Sequence, residues 1–382
     1  MRSYATRPRS RRATLSASGW RAASSPRARI RVADAVGDSW RRHYERLHLH
    51  TTRRWSGLPG LPIPRRYGRW VARAGVVDYL ERYAAHHRIE VRTGVAVTRI
   101  TRAGDGGWAV ETESGDSFAA STVVVATGYN HTPVPPQWPG VERFPGQLVH
   151  ASTYRNAAPY RGADVLVVGA GNTGAEIAVD LVEGGASRVR LAIRTAPHIV
   201  RRSNPGWPAQ GTGILVRHLP VPVVDRIAAL VARIEVPDLS AHGLPRPTTG
   251  LYSRVLEGSV PLQDVGLIAA VQAGRIEPVA AVESFDADGA AVLADGSRLT
   301  PDAIIAATGY RRGLEPLVGH LDMLDGRGLP RVHGPRTDPA APGLHFTGYT
   351  NPISGMFREL RIDAERIAAT IRRARKRPGG TS

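Results

Sequence analysis

The sequence predicts an α/β protein with two Rossmann-like, three-layer halves, each built to bind a dinucleotide, on two observations. Residues 164–183 have the pattern of a strand, a glycine-rich turn and a helix, with a G-x-G-x-x-G fingerprint that begins at Gly169. Residues 88–129 and 275–310 resemble each other, because each passes through β-strands around a tight turn to an apolar strand followed by Ala-Thr-Gly. Such an internal duplication indicates two related nucleotide-binding units.

Composition narrows the chemistry that this fold can carry. The chain has 382 residues, which is enough for two domains of ordinary size. It contains no cysteine, so disulfides, iron–sulfur clusters, thiolate zinc sites and dithiol redox chemistry are excluded. Any redox chemistry therefore requires a bound cofactor. Because no apolar run approaches the roughly 18 residues needed to cross a bilayer, no membrane span is expected.

The formal net charge is +18, and its distribution argues against nucleic-acid binding. Nine arginines and no acidic residue lie in residues 1–32, so the remainder of the chain is only mildly basic. Lys376 is the one lysine in the chain, which indicates codon bias more than selection for a polyanionic partner. Residues 1–32 lack helical and strand periodicity and are rich in Arg, Ser, Ala and Pro, which predicts disorder. The same composition fits an organellar transit peptide or a mistranslated start.

The glycine fingerprint stands in the context that a dinucleotide site requires. An apolar strand leads into the turn, and the helix after it points its N-terminus at the phosphates. At the end of the next strand, 20 residues past Gly174, an NAD site would carry an acid, but this chain has Arg194 there, with Arg201 and Arg202 nearby. A positive charge suits a 2′-phosphate, so NADP is favoured over NAD. The alternative is a glycine turn without a nucleotide. The residues expected to bind NADP are Gly169, Gly171, Asn172, Thr173, Gly174, Arg194 and Arg201.

Immediately before the fingerprint, residues 144–155 have the sequence FPGQLVHASTYR, with the spacing F-x-G-x-x-x-H-x-x-x-Y. This segment resembles the identifying sequence of the flavin-containing monooxygenases, a family that includes plant-type members acting on indole pyruvate. Further segments agree with the resemblance, which covers roughly residues 33–372. They are VLVVGAGNTGAEIA, RTAPHIVRR, the two Ala-Thr-Gly strands, GDSWRRHYERLHLHT and GLHFTGYTNPISGM.

The resemblance implies a flavin domain into which a nicotinamide domain is inserted. The FAD domain is expected at residues 33–155 and 310–375, and the NADP domain at 156–309 with a helical insertion at about 206–260. The first βαβ unit of the FAD domain, which carries its own G-x-G-x-x-G in the family, is missing or replaced in residues 1–32. A shifted reading frame in a GC-rich gene gives the composition found there, so we expect a frameshift in preference to a transit peptide.

The activity that the resemblance implies is an NADPH- and FAD-dependent monooxygenase reaction. NADPH reduces the flavin, O2 adds to give a C4a-hydroperoxyflavin, and one oxygen atom enters a small organic substrate. Three alternatives stay open: an NADP-binding pseudoenzyme, an inactive truncated flavoprotein and, less favoured, a Baeyer–Villiger monooxygenase. The protein is expected to be cytoplasmic, with the substrate and O2 as its partners and no nucleic acid. Its oligomeric state is left open.

No side chain is required as a nucleophile in this chemistry, and His50 and His150 are weak candidates for a catalytic role. His150 is better explained as a hinge residue that hydrogen-bonds backbone between the domains. His50 stands where N-oxygenating relatives often carry Asn, and Tyr154 followed by Arg155 differs from the ending typical of Baeyer–Villiger enzymes. His48 and His50 lack a third ligand, so no metal is expected. The residues expected to contact FAD are Gly37, Trp40, His50, Ala126, Thr127, Gly128, Gly348 and Asn351.

Overall fold

The structure is a computed structural model that describes residues 33–104, 106–204 and 206–376, so the predictions made for residues 1–32 lie outside it. The α-helices are α1 (Asp38–Arg41), α2 (Arg53–Ser56), α3 (Arg73–His86), α4 (Asn172–Glu183), α5 (Ala209–Val216), α6 (Val221–Glu235), α7 (Leu251–Leu256), α8 (Leu267–Gln272), α9 (Glu315–Val318) and α10 (Met356–Lys376). The β-strands are β1 (Val97–Arg102), β2 (Trp108–Thr112), β3 (Ser117–Ala120), β4 (Val123–Val125), β5 (Thr132–Pro133), β6 (Gln147–His150), β7 (Asp164–Val168), β8 (Arg188–Ile193), β9 (Ile199–Arg201), β10 (Ser203–Asn204), β11 (Trp207–Pro208), β12 (Leu262–Asp264), β13 (Glu277–Ala280), β14 (Val282–Phe285), β15 (Ala291–Leu293), β16 (Arg298–Leu299), β17 (Ala303–Ala306), β18 (Tyr310–Arg311) and β19 (Leu344–Phe346).

A five-stranded parallel sheet with the order β13-β8-β7-β17-β6 forms the centre of the nicotinamide half. Its middle strand, β7, is buried on both faces, as its continuous apolar sequence predicts. Val165 and Val167 belong to the core cluster on the α4 side, whereas Leu166 packs with Phe285 on the opposite side. Successive side chains of a strand point to opposite faces, so one apolar run fills two cores. This sheet fixes where the glycine turn between β7 and α4 stands.

The internal duplication predicted from the sequence is confirmed by the topology. In the first half, β1, β2 and β3 form an antiparallel sheet that leads into β4, the strand that ends before Ala-Thr-Gly. In the second half, β14, β15 and β16 form an antiparallel sheet that leads into β17. The two Ala-Thr-Gly segments therefore follow equivalent strands, and each lies at the carboxyl end of its strand, where ligands bind in open α/β sheets.

The flavin half departs from this symmetry at its parallel sheet. There β4 pairs with β19 on one edge, and in the part of the chain that the structure describes no strand lies against its other edge. The segment equivalent to β13, residues 88–94, is not a strand, and Ile89 and Val91 are about half exposed, as is Val124 of β4. In the nicotinamide half, β7 and β8 fill the corresponding gap. The Gly94 backbone N–H donates to the carbonyl of Ala33 at 3.1 Å, so the chain enters the described fold beside this gap.

Helices α5, α6 and α7 lie within the helical insertion expected at about residues 206–260. Val224 of α6 is buried, while Leu230 and Ile234 are exposed. The NADP domain is expected to begin at residue 156. Strand β6 precedes that residue, yet it pairs with β17 in the nicotinamide sheet. The expected bound at residue 156 stays a prediction. Among the described helices, none is both long enough and apolar enough to cross a bilayer.

Candidate functional site

A cavity of about 1120 Å³ lies between the flavin half and the nicotinamide half. Its walls come from the segment around α1 and α2, the loop after β4, the start of α4, the insertion helices and the start of α10. The sequence-predicted residues that line it are Gly37, Trp40, His50, Ala126, Thr127, Gly128, Asn172, Arg201 and Asn351. The predicted residues that do not line it are Gly169, Gly171, Thr173, Gly174, Arg194, Gly348 and His150. Residues predicted for two different cofactors thus meet at one cavity.

The glycine turn between β7 and α4 leaves room for a phosphate chain. Gly169 has a φ of 112°, and a Cβ on Gly174 would overlap the Gly169 carbonyl. A Cβ on Gly171, in contrast, meets nothing within 4 Å. Gly171 is the N-cap residue of α4, so this open space adjoins the helix N-terminus, where free backbone N–H groups and the helix dipole attract anions. The turn therefore fits a dinucleotide pyrophosphate.

On the flavin side, the loop after β4 is held from behind by Tyr349. Its hydroxyl accepts a hydrogen bond from the Thr127 backbone N–H at 3.0 Å and lies 2.8 Å from the Thr127 hydroxyl. A Cβ on Gly128, whose φ is 97°, meets nothing within 4 Å, so open space reaches the backbone here. Trp40 packs against Phe357 at a ring-centroid distance of 5.9 Å. This side fits the ring end of FAD, whereas the described residues contain no second glycine turn for its pyrophosphate.

Two asparagines tie both cofactor sides to the segment that follows α7. The Asn172 amide donates to the Pro261 carbonyl at 3.0 Å and accepts from the Gln263 backbone N–H at 2.7 Å. The Asn351 amide donates to the Ser259 carbonyl at 2.7 Å. Because both side chains are engaged with backbone, their first role in this structure is to shape the cavity wall.

Three arginines lie after β8: Arg194 directly follows it, Arg201 ends β9 and Arg202 follows β9. Their surroundings differ. Arg194 is exposed directly after β8, and no hydrogen bond or ion pair joins it to another residue of the described ranges. Arg201 lines the cavity and donates from Nε to the Glu235 carbonyl at 2.6 Å. Arg202 donates to the Leu49 carbonyl at 2.8 Å, and burial lowers its pKa to about 10. Arg202 therefore joins the two halves, while Arg194 remains available for a ligand.

His150 ends β6 at the edge of the nicotinamide sheet. Its Nδ1 accepts a hydrogen bond from the Ser152 backbone N–H at 3.1 Å, and its ring packs edge-on against Tyr310 at a centroid distance of 5.3 Å. Burial lowers the pKa of His150. Its hydrogen bond to Ser152 is local, so the hinge role of His150 stays a prediction.

Three histidines line the cavity, His43, His48 and His50, and their surroundings differ. Burial lowers the pKa of His43, and the neighbouring Arg155 and Arg73 charges act in the same direction, so His43 stays unprotonated near neutral pH. His50 is hydrogen-bonded to Glu176 across the boundary between the halves. The His48 ring bonds the Arg46 carbonyl at 2.7 Å. Within the described ranges no three His, Asp or Glu side chains gather as a metal site.

Sequence reasoning missed the partners of α4. Glu176, Asp180 and Glu183 lie on one stripe of this helix, which looks like an ordinary solvent-exposed stripe in the sequence. In the structure the stripe faces other segments: Glu176 contacts His50, Asp180 accepts from Tyr154 at 2.6 Å, and Glu183 pairs with Arg46. The spacing of the stripe was visible in the sequence, but its partners are separated from it by 26 to 137 residues.

Comparison with known proteins is consistent with this site. A family profile described as pyridine nucleotide-disulphide oxidoreductase matches residues 36–207. Indole-3-pyruvate monooxygenase YUCCA1 of Oryza sativa subsp. japonica is 34% identical over 330 residues, which cover 85% of this chain and 81% of the relative. Probable indole-3-pyruvate monooxygenase YUCCA1 of Arabidopsis thaliana is 33% identical over 323 residues, which cover 83% and 78%.

Solved structures agree on the fold. A flavin-containing monooxygenase from Stenotrophomonas maltophilia superimposes with a TM-score of 0.61 at 23% identity, covering 87% of this chain and 88% of that chain. The open crystal structure of cyclohexanone monooxygenase gives a TM-score of 0.66 at 18% identity, covering 90% and 82%. At these identities the likeness concerns the fold alone.

Proposed function

Because the chain belongs to the flavin-dependent monooxygenase family that includes the plant indole-3-pyruvate monooxygenases, we propose that it oxygenates a small organic substrate in the cavity between its halves. Enzymes of this family depend on FAD and NADPH. One observation carries the proposal: Asn172, at the start of the dinucleotide helix, and the loop of residues 126–128 line the same cavity. Hydride transfer requires the nicotinamide and flavin rings to be in contact, and a shared cavity permits this.

The protein's own contribution is binding, orientation and exclusion of water. The chemistry that FAD supplies when bound is acceptance of a hydride from NADPH and activation of O2. The N-terminus of α4 would hold the dinucleotide phosphates through Gly171, and Arg194 would contact the 2′-phosphate. Residues 126–128 and Trp40 would hold the flavin ring end. We retain the sequence-predicted domain bounds and cofactor residues as parts of this proposal, together with a cytoplasmic location, where metabolism keeps NADPH reduced.

The substrate side of the cavity is apolar. The residues of α6 and α7 that form this wall are Val224, Ile227, Ala228, Val231, Leu251 and Val255. Such a wall removes water from the reaction and favours a substrate with a sizeable apolar or aromatic body. Since the relatives are named for indole-3-pyruvate, an aromatic 2-oxo acid is the first substrate to test.

The test of this function is a labelled oxygenation assay. We expect the purified protein, supplied with FAD, to bind the flavin with a change in its visible spectrum and to oxidise NADPH faster when substrate is present. Indole-3-pyruvate, an organic sulfide and a cyclic ketone are offered separately under 18O2, and the product is analysed by mass spectrometry. One 18O atom in a product supports the proposal. NADPH binding without flavin binding or 18O incorporation would instead identify an NADP-binding pseudoenzyme.

Replacing Arg194 with alanine is expected to remove the preference for NADPH over NADH. Loss of charge-assisted hydrogen bonds to a 2′-phosphate costs roughly 1.5–3 kcal/mol, which corresponds to about one to two decades in affinity. NADH affinity should change little, because NADH lacks that phosphate. Titration of both nucleotides into wild type and Arg194→Ala measures the effect. The matched control is Arg65→Ala, which removes an exposed arginine from the flavin half. Equal affinity of the wild type for both nucleotides contradicts the assignment.

A further inference from the structure

A buried carboxylate stands at the boundary between the two halves. Glu176 lies on α4, one turn after Asn172, and only 4% of its side chain is exposed. A carboxylate removed from water in this way requires hydrogen-bond donors or a positive partner, because desolvation strongly disfavours an unpaired charge. Both partners of Glu176 come from the segment before α2, in the flavin half.

Each carboxylate oxygen of Glu176 has its own partner. The Tyr44 hydroxyl donates to Oε2 at 3.1 Å, and Nε2 of His50 bonds Oε1. Burial raises the pKa of Tyr44 well above its ordinary value, as does the Glu176 charge, so this hydroxyl keeps its proton. A side-chain hydrogen bond from Thr173 acts in the opposite direction on Tyr44. Tyr44 is therefore a fixed donor to Glu176, and it also contacts the first turn of the dinucleotide helix.

His50 links the buried Glu176 carboxylate to the cavity. The residue lines the cavity, and 22% of its side chain is exposed. With Nε2 turned toward Glu176, Nδ1 is the ring nitrogen left for the cavity, and no hydrogen bond joins Nδ1 to another residue of the described ranges. A carboxylate that accepts from one ring nitrogen fixes both the tautomer and the orientation of an imidazole. Neutral His50 therefore holds its hydrogen on Nε2 and offers an acceptor at Nδ1.

The other charges around Glu176 are arginines whose hydrogen bonds go elsewhere. Arg202 is close enough to feel the Glu176 charge, but it donates to the Leu49 carbonyl. Arg46 also feels this charge, yet its guanidinium is paired with Glu183. The imidazole of His50 is thus the basic group that is hydrogen-bonded directly to Glu176.

We propose that Glu176 is a positioning residue, which together with Tyr44 holds His50 so that Nδ1 takes up a solvent proton and returns it inside the cavity during oxygenation. The proposal rests on the proposed function, whose balance consumes one proton. O2 accepts four electrons, two from the hydride of NADPH and two from the substrate. One oxygen atom joins the substrate, and the other leaves as water with the hydrogen delivered as hydride and the proton delivered by His50.

The first test requires neither flavin nor activity. In protein labelled with 15N-histidine, we expect a slowly exchanging Nε2–H proton resonance shifted downfield by its bond to the carboxylate, assigned by its loss in His50→Gln. Glu176→Ala should abolish this resonance. Asp180→Asn is the matched control, because Asp180 lies one turn further along α4 and bonds Tyr154 at 2.6 Å instead. If Glu176→Ala leaves the resonance unchanged, the proposal is wrong whether or not the protein is an active monooxygenase.

The second test separates positioning from folding in the FAD-loaded enzyme. Glu176→Gln preserves the side-chain shape, and we expect kcat to fall by at least about tenfold with the NADPH dissociation constant within about twofold of wild type. Tyr44→Phe should give a smaller change in the same direction.

Three outcomes of the second test would contradict the proposal. A wild-type kcat in Glu176→Gln would remove the role of Glu176. An equal loss of kcat in Asp180→Asn would show a general effect of altering α4. A wild-type protein that binds FAD and NADPH but incorporates no 18O would remove the proton-transfer step together with the proposed function, and the imidazole resonance would still decide whether Glu176 positions His50.

Discussion

Replacing Gly171 with alanine is expected to leave the protein folded and to raise the dissociation constant for NADPH by at least about tenfold, or about 1.4 kcal/mol. Gly171 has a φ of −83°, which alanine adopts without strain, and a Cβ there meets nothing within 4 Å. The space that the methyl group would enter adjoins the N-terminus of α4. A pyrophosphate must approach the backbone at this glycine, so a methyl group displaces the ligand and not the protein.

Gly174→Ala is the matched contrast in the same fingerprint. Its Cβ would overlap the carbonyl oxygen of Gly169, which belongs to the backbone and has no rotamer to change. Overpacking of this kind typically costs about 1–3 kcal/mol, so we expect a lower melting temperature together with weaker NADPH binding. The two alanines thus separate a glycine needed by the ligand from a glycine needed by the fold.

Thermal unfolding followed by circular dichroism and NADPH titration by fluorescence measure the pair. The expected pattern is a melting temperature within about one degree of wild type for Gly171→Ala, and a fall of several degrees for Gly174→Ala. Should Gly171→Ala bind NADPH like wild type, the phosphate chain does not pass the N-terminus of α4. That result would also contradict the proposed cofactor site.

Asp164→Ala is expected to destabilise the nicotinamide half by about 2–4 kcal/mol, because it leaves a buried guanidinium without its closest partner. Arg190 has only 6% of its side chain exposed, and its NH1 lies 2.7 Å from Asp164 Oδ1. Glu277 is further away, at 3.7 Å from Nε, and is about half exposed, so it compensates in part. The carboxylate and the guanidinium join adjacent strands, β7 and β8, at the centre of the parallel sheet.

The double variant Asp164→Ala/Arg190→Met tests the physical cause. Removing both charges should recover much of the stability, since an apolar side chain of similar length needs no partner. Urea unfolding of the wild type, both single variants and the double variant gives the coupling energy. If Asp164→Ala costs less than about 0.5 kcal/mol, water or Glu277 compensates the guanidinium and the pair has no structural weight.

The parts of the fold that sequence analysis predicted well are those specified by neighbouring residues. Strand β7 and helix α4 fill the predicted range of residues 164–183, because an apolar run, a glycine turn and a helical pattern all lie within about twenty residues. Arg194 stands directly after β8, as its spacing from Gly174 predicts. The need for glycine at these positions could also be predicted, since Gly169 and Gly174 are five residues apart and contact each other within the same turn.

The parts that were not predicted depend on contacts between distant segments. Strand β6 enters the nicotinamide sheet by pairing with β17, more than 150 residues further along the chain. Glu176 and His50 are separated by 126 residues, and nothing in either local pattern indicates the other. A polar stripe on a helix has the same sequence signature whether it faces water or the polar wall of another domain. Only the packing of the two halves distinguishes these cases.

Among the described residues the parallel strands of the two halves differ in how many neighbours they have, and we expect this difference to set the order in which they open. Strands β7 and β17 each have neighbours on both sides, so their amide hydrogens exchange only when the whole nicotinamide half opens. Strand β4 is joined to β19 alone among the described residues, and Val124 is partly exposed although Val125 beside it is buried. We therefore expect warming to release the loop of residues 126–128 before the glycine turn, which amide hydrogen exchange at increasing temperature measures. The ability to hold a flavin ring would then be lost while the dinucleotide half is still folded.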